Sequence, residues 1–178
     1  MKIEKLIAPA SVTEECVVVI DVLRAFTTAA FAFAAGASKI IAVSTIEEAL
    51  ELKRQNSGCL LMGERHGLKI EEFDLSNSPH EVQEKELTGR TLVQRTSAGT
   101  QGIVRAKGSK HILAASFVVA EATYRHILNI NPQKVTFLIT GTNTSDEDLA
   151  LADYLSVKLL GRRAVDPQPY LTVASPAY

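Results

Sequence analysis

From residue 16 to residue 160 the chain alternates short β-branched runs with segments of helical pattern, and this alternation constrains the fold more than any other feature. Strands are expected at Lys2–Ile7, Cys16–Ile20, Lys39–Val43, Cys59–Met62, Thr91–Arg95, His111–Ala114 and Lys134–Ile139. Helices are expected at Ala25–Ala35, Ile46–Gln55, Gly99–Lys107, Phe117–Asn129 and Asp146–Leu160. Such alternation predicts an α/β fold, with helices on both faces of a mostly parallel sheet. A chain of 178 residues suits one domain, residues 1–178. Its end, about 161–178, reads as irregular.

Composition narrows the function classes. With 46% apolar and 22% charged residues the chain is an ordinary globular protein, and a net charge of −1 leaves no footprint for nucleic acid or an anionic membrane. No run reaches membrane-spanning length. Cys16 and Cys59 sit in aliphatic runs and read as buried free thiols in a reducing compartment. A cytoplasmic protein is expected.

The strand ends carry the chemistry. Val17–Ile20 is an unbroken aliphatic run that ends on Asp21, with Arg24 three positions later. A charge at such a junction is expensive unless paired or used. Gly63, Glu64 and Arg65 follow the run at 59–62; Thr96, Ser97, Gly99 and Thr100 follow the run ending at Arg95; Ser116 follows the run at 111–114; and "TGTNTSDED" follows Ile139. Open α/β sheets bind ligands outside the carboxyl ends of their strands, so these polar junctions are expected to share one crevice.

"TSAGTQGI" (residues 96–103) places hydroxyls and glycine at a strand-to-helix turn, which suits either a simple cap or an anion site. With Arg24, Arg65 and Arg95 at neighbouring junctions, anion binding is the favoured reading. Asp21, Glu64, Asp74, Glu147 and Asp148 are candidate oxygen ligands for Mg²⁺. Duller alternatives stand beside them: Asp148 completes a capping box with Ser145, and Glu64 pairs with Arg65 or Arg24. Cys59 and Arg65 match the C-x5-R spacing of cysteine phosphatases, but "LLMGE" between them is strand rather than a phosphate-cradling loop, and the match is rejected. His66 and His80 fall in the long irregular segment 63–90, a length that is usually functional or disordered; they are candidate proton donors, beside the commoner reading as solvated loop histidines.

The blocks "VVVIDVLRAFTTAAFAFAAGA", "GERHGLKIEEFDLSNSPHEV", "RTSAGTQG", "AASFVVAEAT" and "EDLALADYL" occur in the order found in the 2-phosphosulfolactate phosphatase (ComB) family, which this chain resembles over roughly residues 16–160. The resemblance implies a three-layer α/β/α sandwich and a Mg²⁺-dependent phosphatase. It would act on a small phosphorylated acid, releasing sulfolactate and phosphate in coenzyme M biosynthesis. The candidate roles are then Asp21, Arg24 and Glu64 in catalysis, and Asp21, Glu64, Glu147 and Asp148 at the metal. Arg65, Asn77, Ser78, Arg95, Thr96, Ser97, Gly99, Thr100 and Ser116 would bind substrate. Ala98 stands where the family usually has Asn, and His66 where it has a second Gly; a non-catalytic anion-binding protein on the same fold is the alternative. A homo-oligomer, a dimer, is expected, and no nucleic-acid or membrane partner.

Overall fold

The structure is a computed structural model that describes residues 1–141, 146–161 and 166–171. In chain order the elements are β1 (Lys2–Ile7), β2 (Cys16–Ile20), α1 (Ala25–Ala34), β3 (Lys39–Ala42), α2 (Ile46–Gln55), β4 (Leu60–Arg65), β5 (Leu68–Lys69), α3 (Pro79–Gln83), β6 (Thr91–Arg95), α4 (Gly99–Arg105), β7 (His111–Ala115), a 3₁₀ turn (Phe117–Val119), α5 (Ala120–Ile130), β8 (Lys134–Ile139), α6 (Asp146–Leu159) and α7 (Gln168–Leu171).

The strands form two four-stranded sheets, ordered β1-β8-β2-β7 and β3-β6-β4-β5. Every pairing is parallel except the β4–β5 hairpin. Helices cover both faces of each sheet, the α/β/α layering that the alternation predicts. One sheet was expected; two are present. Periodicity marks which residues are strand but not which strands pair, so this division left no trace in the pattern.

Alternating strand residues build the two cores of the first sheet. Val18, Ile20, Phe137 and Ile139 pack with Tyr124, Ile127, Leu151 and Leu155 of α5 and α6. Val17, Val19 and Leu138 turn the other way, onto Ala25, Phe26 and Ala106. In the second sheet Met62 and Leu92 meet Ala32, Val82 and Leu87, while Leu61 and Val93 meet Ala49 of α2 and Phe73. α1 therefore serves both sheets, with Ala25 and Phe26 in one core and Ala32 in the other. A further tie is Gln94, whose amide donates to the carbonyl of Ala25 at 3.0 Å. These links bring the carboxyl ends of β2 and β6 together around the start of α1.

Two segments expected to be irregular contain short elements. Residues 63–90 contain the end of β4, all of β5, and α3, which Ser78 caps by accepting from the backbone N–H of Glu81. α7 lies in the end expected to be irregular. The capping box expected of Ser145 involves a residue outside those described.

Candidate active site

The carboxyl ends of β2, β4 and β6 border a cavity of about 200 Å³ lined by Asp21, Leu23, Arg24, Glu64, His66, Gly67, Asn77, Ser97 and Ala98. Asp21 arrives from the first sheet; Glu64 and Ser97 arrive from the second. The crevice thus lies where two sheets meet rather than along the edge of one.

Asp21 is 7% exposed, and its carboxylate accepts the backbone N–H of Ala25 at 2.9 Å and that of Gly99. Burial pushes its pKa up to about 6; the two N–H donors oppose that shift, and the nearby charges of Glu64 and Glu147 add to it. Asp148, at the start of α6, reaches the same region. It accepts from the backbone N–H of Val22 at 2.8 Å and from Gly141. Burial raises its pKa to about 8, with Asp21 and Glu147 contributing repulsion. One carboxylate oxygen of Glu147 is buried with no hydrogen-bond partner among the described residues. The charges of Asp21, Glu147 and Asp148 thus act on one another in one region.

Glu64 has the opposite environment. Its carboxylate accepts from Ser97 N at 2.5 Å, Gly67 N at 2.6 Å and Ser97 Oγ at 3.1 Å, and Ser97 Oγ in turn accepts from His66 N at 3.0 Å. Glu64 therefore fastens the β4–β5 hairpin to the turn after β6. This role was not legible because the strand was expected to end at Met62, whereas β4 continues through Arg65.

The turn at 96–99 was expected to offer free amides to an anion. In the structure those amides are occupied by the protein's own carboxylates: Ser97 N by Glu64 and Gly99 N by Asp21. Thr96 and Thr100 are buried and bond each other, Thr100 N to Thr96 Oγ1 at 3.0 Å and Thr96 N to Thr100 Oγ1 at 2.9 Å. The turn builds the site from behind.

The other expected residues divide. Asn77, 5% exposed, lines the cavity, and its side-chain oxygen is buried without a donor. Ser78 spends its hydroxyl on capping α3. Arg65 faces an adjoining cleft instead of the cavity. Arg95 does not line the cavity; it donates to the carbonyl oxygen of Glu64 at 2.9 Å and supports the strand. Ser116 is fully buried, with its hydroxyl unpartnered, and also lies off the lining. Asp74 is engaged elsewhere, by Leu61 N at 2.7 Å and Lys53 at 3.0 Å. Leu23, which lines the cavity, was not among the expected site residues, and His66, which also lines it, was expected only as a candidate proton donor on a loop.

A family model for 2-phosphosulpholactate phosphatase matches residues 1–177. The chain belongs to the 2-phosphosulfolactate phosphatase family. Among curated relatives, a probable 2-phosphosulfolactate phosphatase of Carboxydothermus hydrogenoformans is 41% identical over 171 residues, covering 93% of this chain and 71% of the relative. One of the same name from Bacillus subtilis is 34% identical over 160 residues, 89% of this chain and 68% of the relative. Another, from Thermotoga maritima, is 39% identical over 160 residues, 88% and 68% respectively. The family's chemistry is phosphomonoester hydrolysis, so the chain is a phosphoric monoester hydrolase of the 2-phosphosulfolactate phosphatase kind.

Whether these residues suit a divalent cation is tested by the acids themselves. Among the described residues no three His, Cys, Asp or Glu side chains form a ready-made cage. Mg²⁺ needs none, since it keeps several waters and commonly takes one or two carboxylates beside substrate phosphate. Asp21, Glu147 and Asp148, mutually repelling and with a Glu147 oxygen lacking a donor, fit that demand. Glu64, already satisfied by three donors, fits it less well than expected.

Proposed function

We propose that this chain is a Mg²⁺-dependent phosphatase that hydrolyses 2-phosphosulfolactate, or a closely related phosphorylated 2-hydroxy acid, to the hydroxy acid and phosphate. The names of the curated relatives support the substrate. The observation that carries the chemistry is Asp21: a buried carboxylate at a cavity wall that Arg24 also lines, held by two backbone N–H groups.

Phosphoryl transfer asks a protein mainly for positioning and for neutralising charge on the transferred group. Arg24 would hold the phosphoryl oxygens, because a guanidinium binds such oxygens in pairs. The two N–H donors fix the Asp21 carboxylate against rotation, so it meets the phosphoryl group or its attacking water in one orientation. Asp21, with Glu147 or Asp148 beside it, would hold the cation, with Glu64 keeping the hairpin and the Ser97–Gly99 turn in register behind them. Bound there, Mg²⁺ would supply positive charge to the phosphoryl oxygens and to the attacking water. Work in the cytoplasm, as a step of coenzyme M biosynthesis, belongs to this same proposal.

The test is phosphate release from 2-phosphosulfolactate and from an aryl phosphate, with Mg²⁺ and with a chelator. Mg²⁺-dependent release supports the reading. Tight binding of the acid without turnover would instead identify a non-catalytic binding protein on this fold.

A further inference from the structure

The tip of the β4–β5 hairpin carries a side chain that the chemistry above does not use. His66 and Gly67 are the two central residues of the turn, with φ of 54° and 81°. Turns of this kind want Gly, Asn or Asp at such positions, and a residue with a Cβ costs about 1 kcal/mol there. The backbone therefore gives no reason for a histidine. Nor does packing: the residue is exposed, and its imidazole has no hydrogen bond or ion pair among the described residues.

Its position is nevertheless fixed. The N–H of His66 donates to Ser97 Oγ at 3.0 Å, and Ser97 is tied to Glu64. His66 lines the main cavity, as do Arg24 and Asn77, and also the adjoining cleft of about 370 Å³ that Arg65, Leu68 and Lys69 help to line. The acids of the main cavity are Asp21 and Glu64, the latter saturated by its donors. In the adjoining cleft Glu71 and Glu72 offset Arg65 and Lys69, and Lys69 also lies 3.9 Å from Glu81. That cleft is mixed in charge. His66 lines both spaces, and in the main cavity it shares the lining with Arg24 and Asn77.

We propose that His66 is a specificity-determining residue that binds the second anionic group, a carboxylate or sulfonate, of a phosphorylated 2-hydroxy acid. The inference rests on the phosphatase reading of the cavity and assigns the non-transferred end of the substrate to the hairpin. Asn77 fits the same end: with its oxygen buried, its NH₂ is the group open to the cavity. At about 200 Å³ the cavity falls below the roughly 300–1,000 Å³ that drug-sized ligands occupy, which suits a short acid.

The experiment uses the full chain and His66→Gly, a change that the positive φ favours, so the variant should melt no lower than the wild type. kcat/KM is measured for 2-phosphosulfolactate and for an aryl phosphate with no second acid, and sulfolactate affinity is measured by calorimetry. Expected is a fall of about tenfold or more in the ratio of the two kcat/KM values, carried by KM, with a matching loss of sulfolactate affinity. His66→Asn, which also tolerates the turn and keeps a shorter N–H donor, should fall between the two. Equal losses on both substrates, or an unchanged ratio and affinity, would overturn the assignment. If the wild type hydrolyses neither compound, the phosphatase reading fails on its own, and sulfolactate affinity still decides: a tenfold loss in the variant sustains the role of His66, equal affinity or no binding by the wild type ends it.

Discussion

Asp21 and Gly99 are packed so closely that a Cβ on Gly99 would stand 2.7 Å from Asp21 Oδ2, and 2.5 Å from the Cβ of Ala25. The contact lets the Gly99 N–H reach the carboxylate. It also joins the turn after β6 to the junction after β2, and so one sheet to the other. Gly99→Ala should displace Asp21 and lower kcat by about 100-fold, since small misplacements of a reacting group cost that much. A melting curve and a Mg²⁺ titration on the same variant should show a folded protein with weakened metal dependence; wild-type kcat would show that this contact does not position the acid.

Asp21→Asn keeps the shape of the side chain and removes its charge. Turnover of any phosphomonoester should fall by about 10²–10³-fold or more. Without Mg²⁺ the variant should melt higher than the wild type near neutral pH, because a buried charge beside Glu64 and Glu147 has been deleted. Calorimetric melts and steady-state kinetics check both halves.

The carboxylates also set a pH dependence of stability. Asp148 rises from an ordinary 3.8 to about 8, and Asp21 from 3.8 to about 6. Between those values the folded chain holds protons that the unfolded chain has released. The unfolded state then binds fewer protons, so stability falls as pH rises through the window and is greatest at its acid end. Metal-free protein should therefore melt lower at about pH 8 than at about pH 5, and Mg²⁺ should recover more of the loss at the alkaline end. Melts that rise with pH in the presence of a chelator would contradict the burial of these acids.

Glu64→Ala would remove the charged acceptor of the Ser97 and Gly67 N–H groups, hydrogen bonds worth about 1.5–3 kcal/mol each. A drop in Tm of about 5 °C or more is expected. Glu64→Gln should lose less stability, since one acceptor oxygen remains. A Glu64→Gln variant with normal melting and no Mg²⁺ response would instead return Glu64 to the metal.

Asp21 was legible in the chain because a charge directly after four buried aliphatics has few harmless explanations. Arg24 and Ser97 were legible from their places just past strand ends. Arg95 and the 96–100 turn were legible as neighbours of the site, but not in their roles. Whether a turn amide meets an incoming anion or a resident carboxylate depends on which strand lies beside it, and the β4–β6 pairing that puts Glu64 against Ser97 leaves no mark on local pattern. His66 was legible as a loop histidine, but its place on the cavity wall was not, for a related reason. A two-residue turn inside "ERHGLK" gives only one short strand after it, too brief for alternation to register.

The most direct test of this account is phosphate release from 2-phosphosulfolactate by the wild type and by Asp21→Asn, each with Mg²⁺ and with a chelator. The account predicts release by the wild type that requires Mg²⁺ and that Asp21→Asn loses while remaining folded. Release that persists in the chelator, or that survives in Asp21→Asn at the wild-type rate, would contradict it.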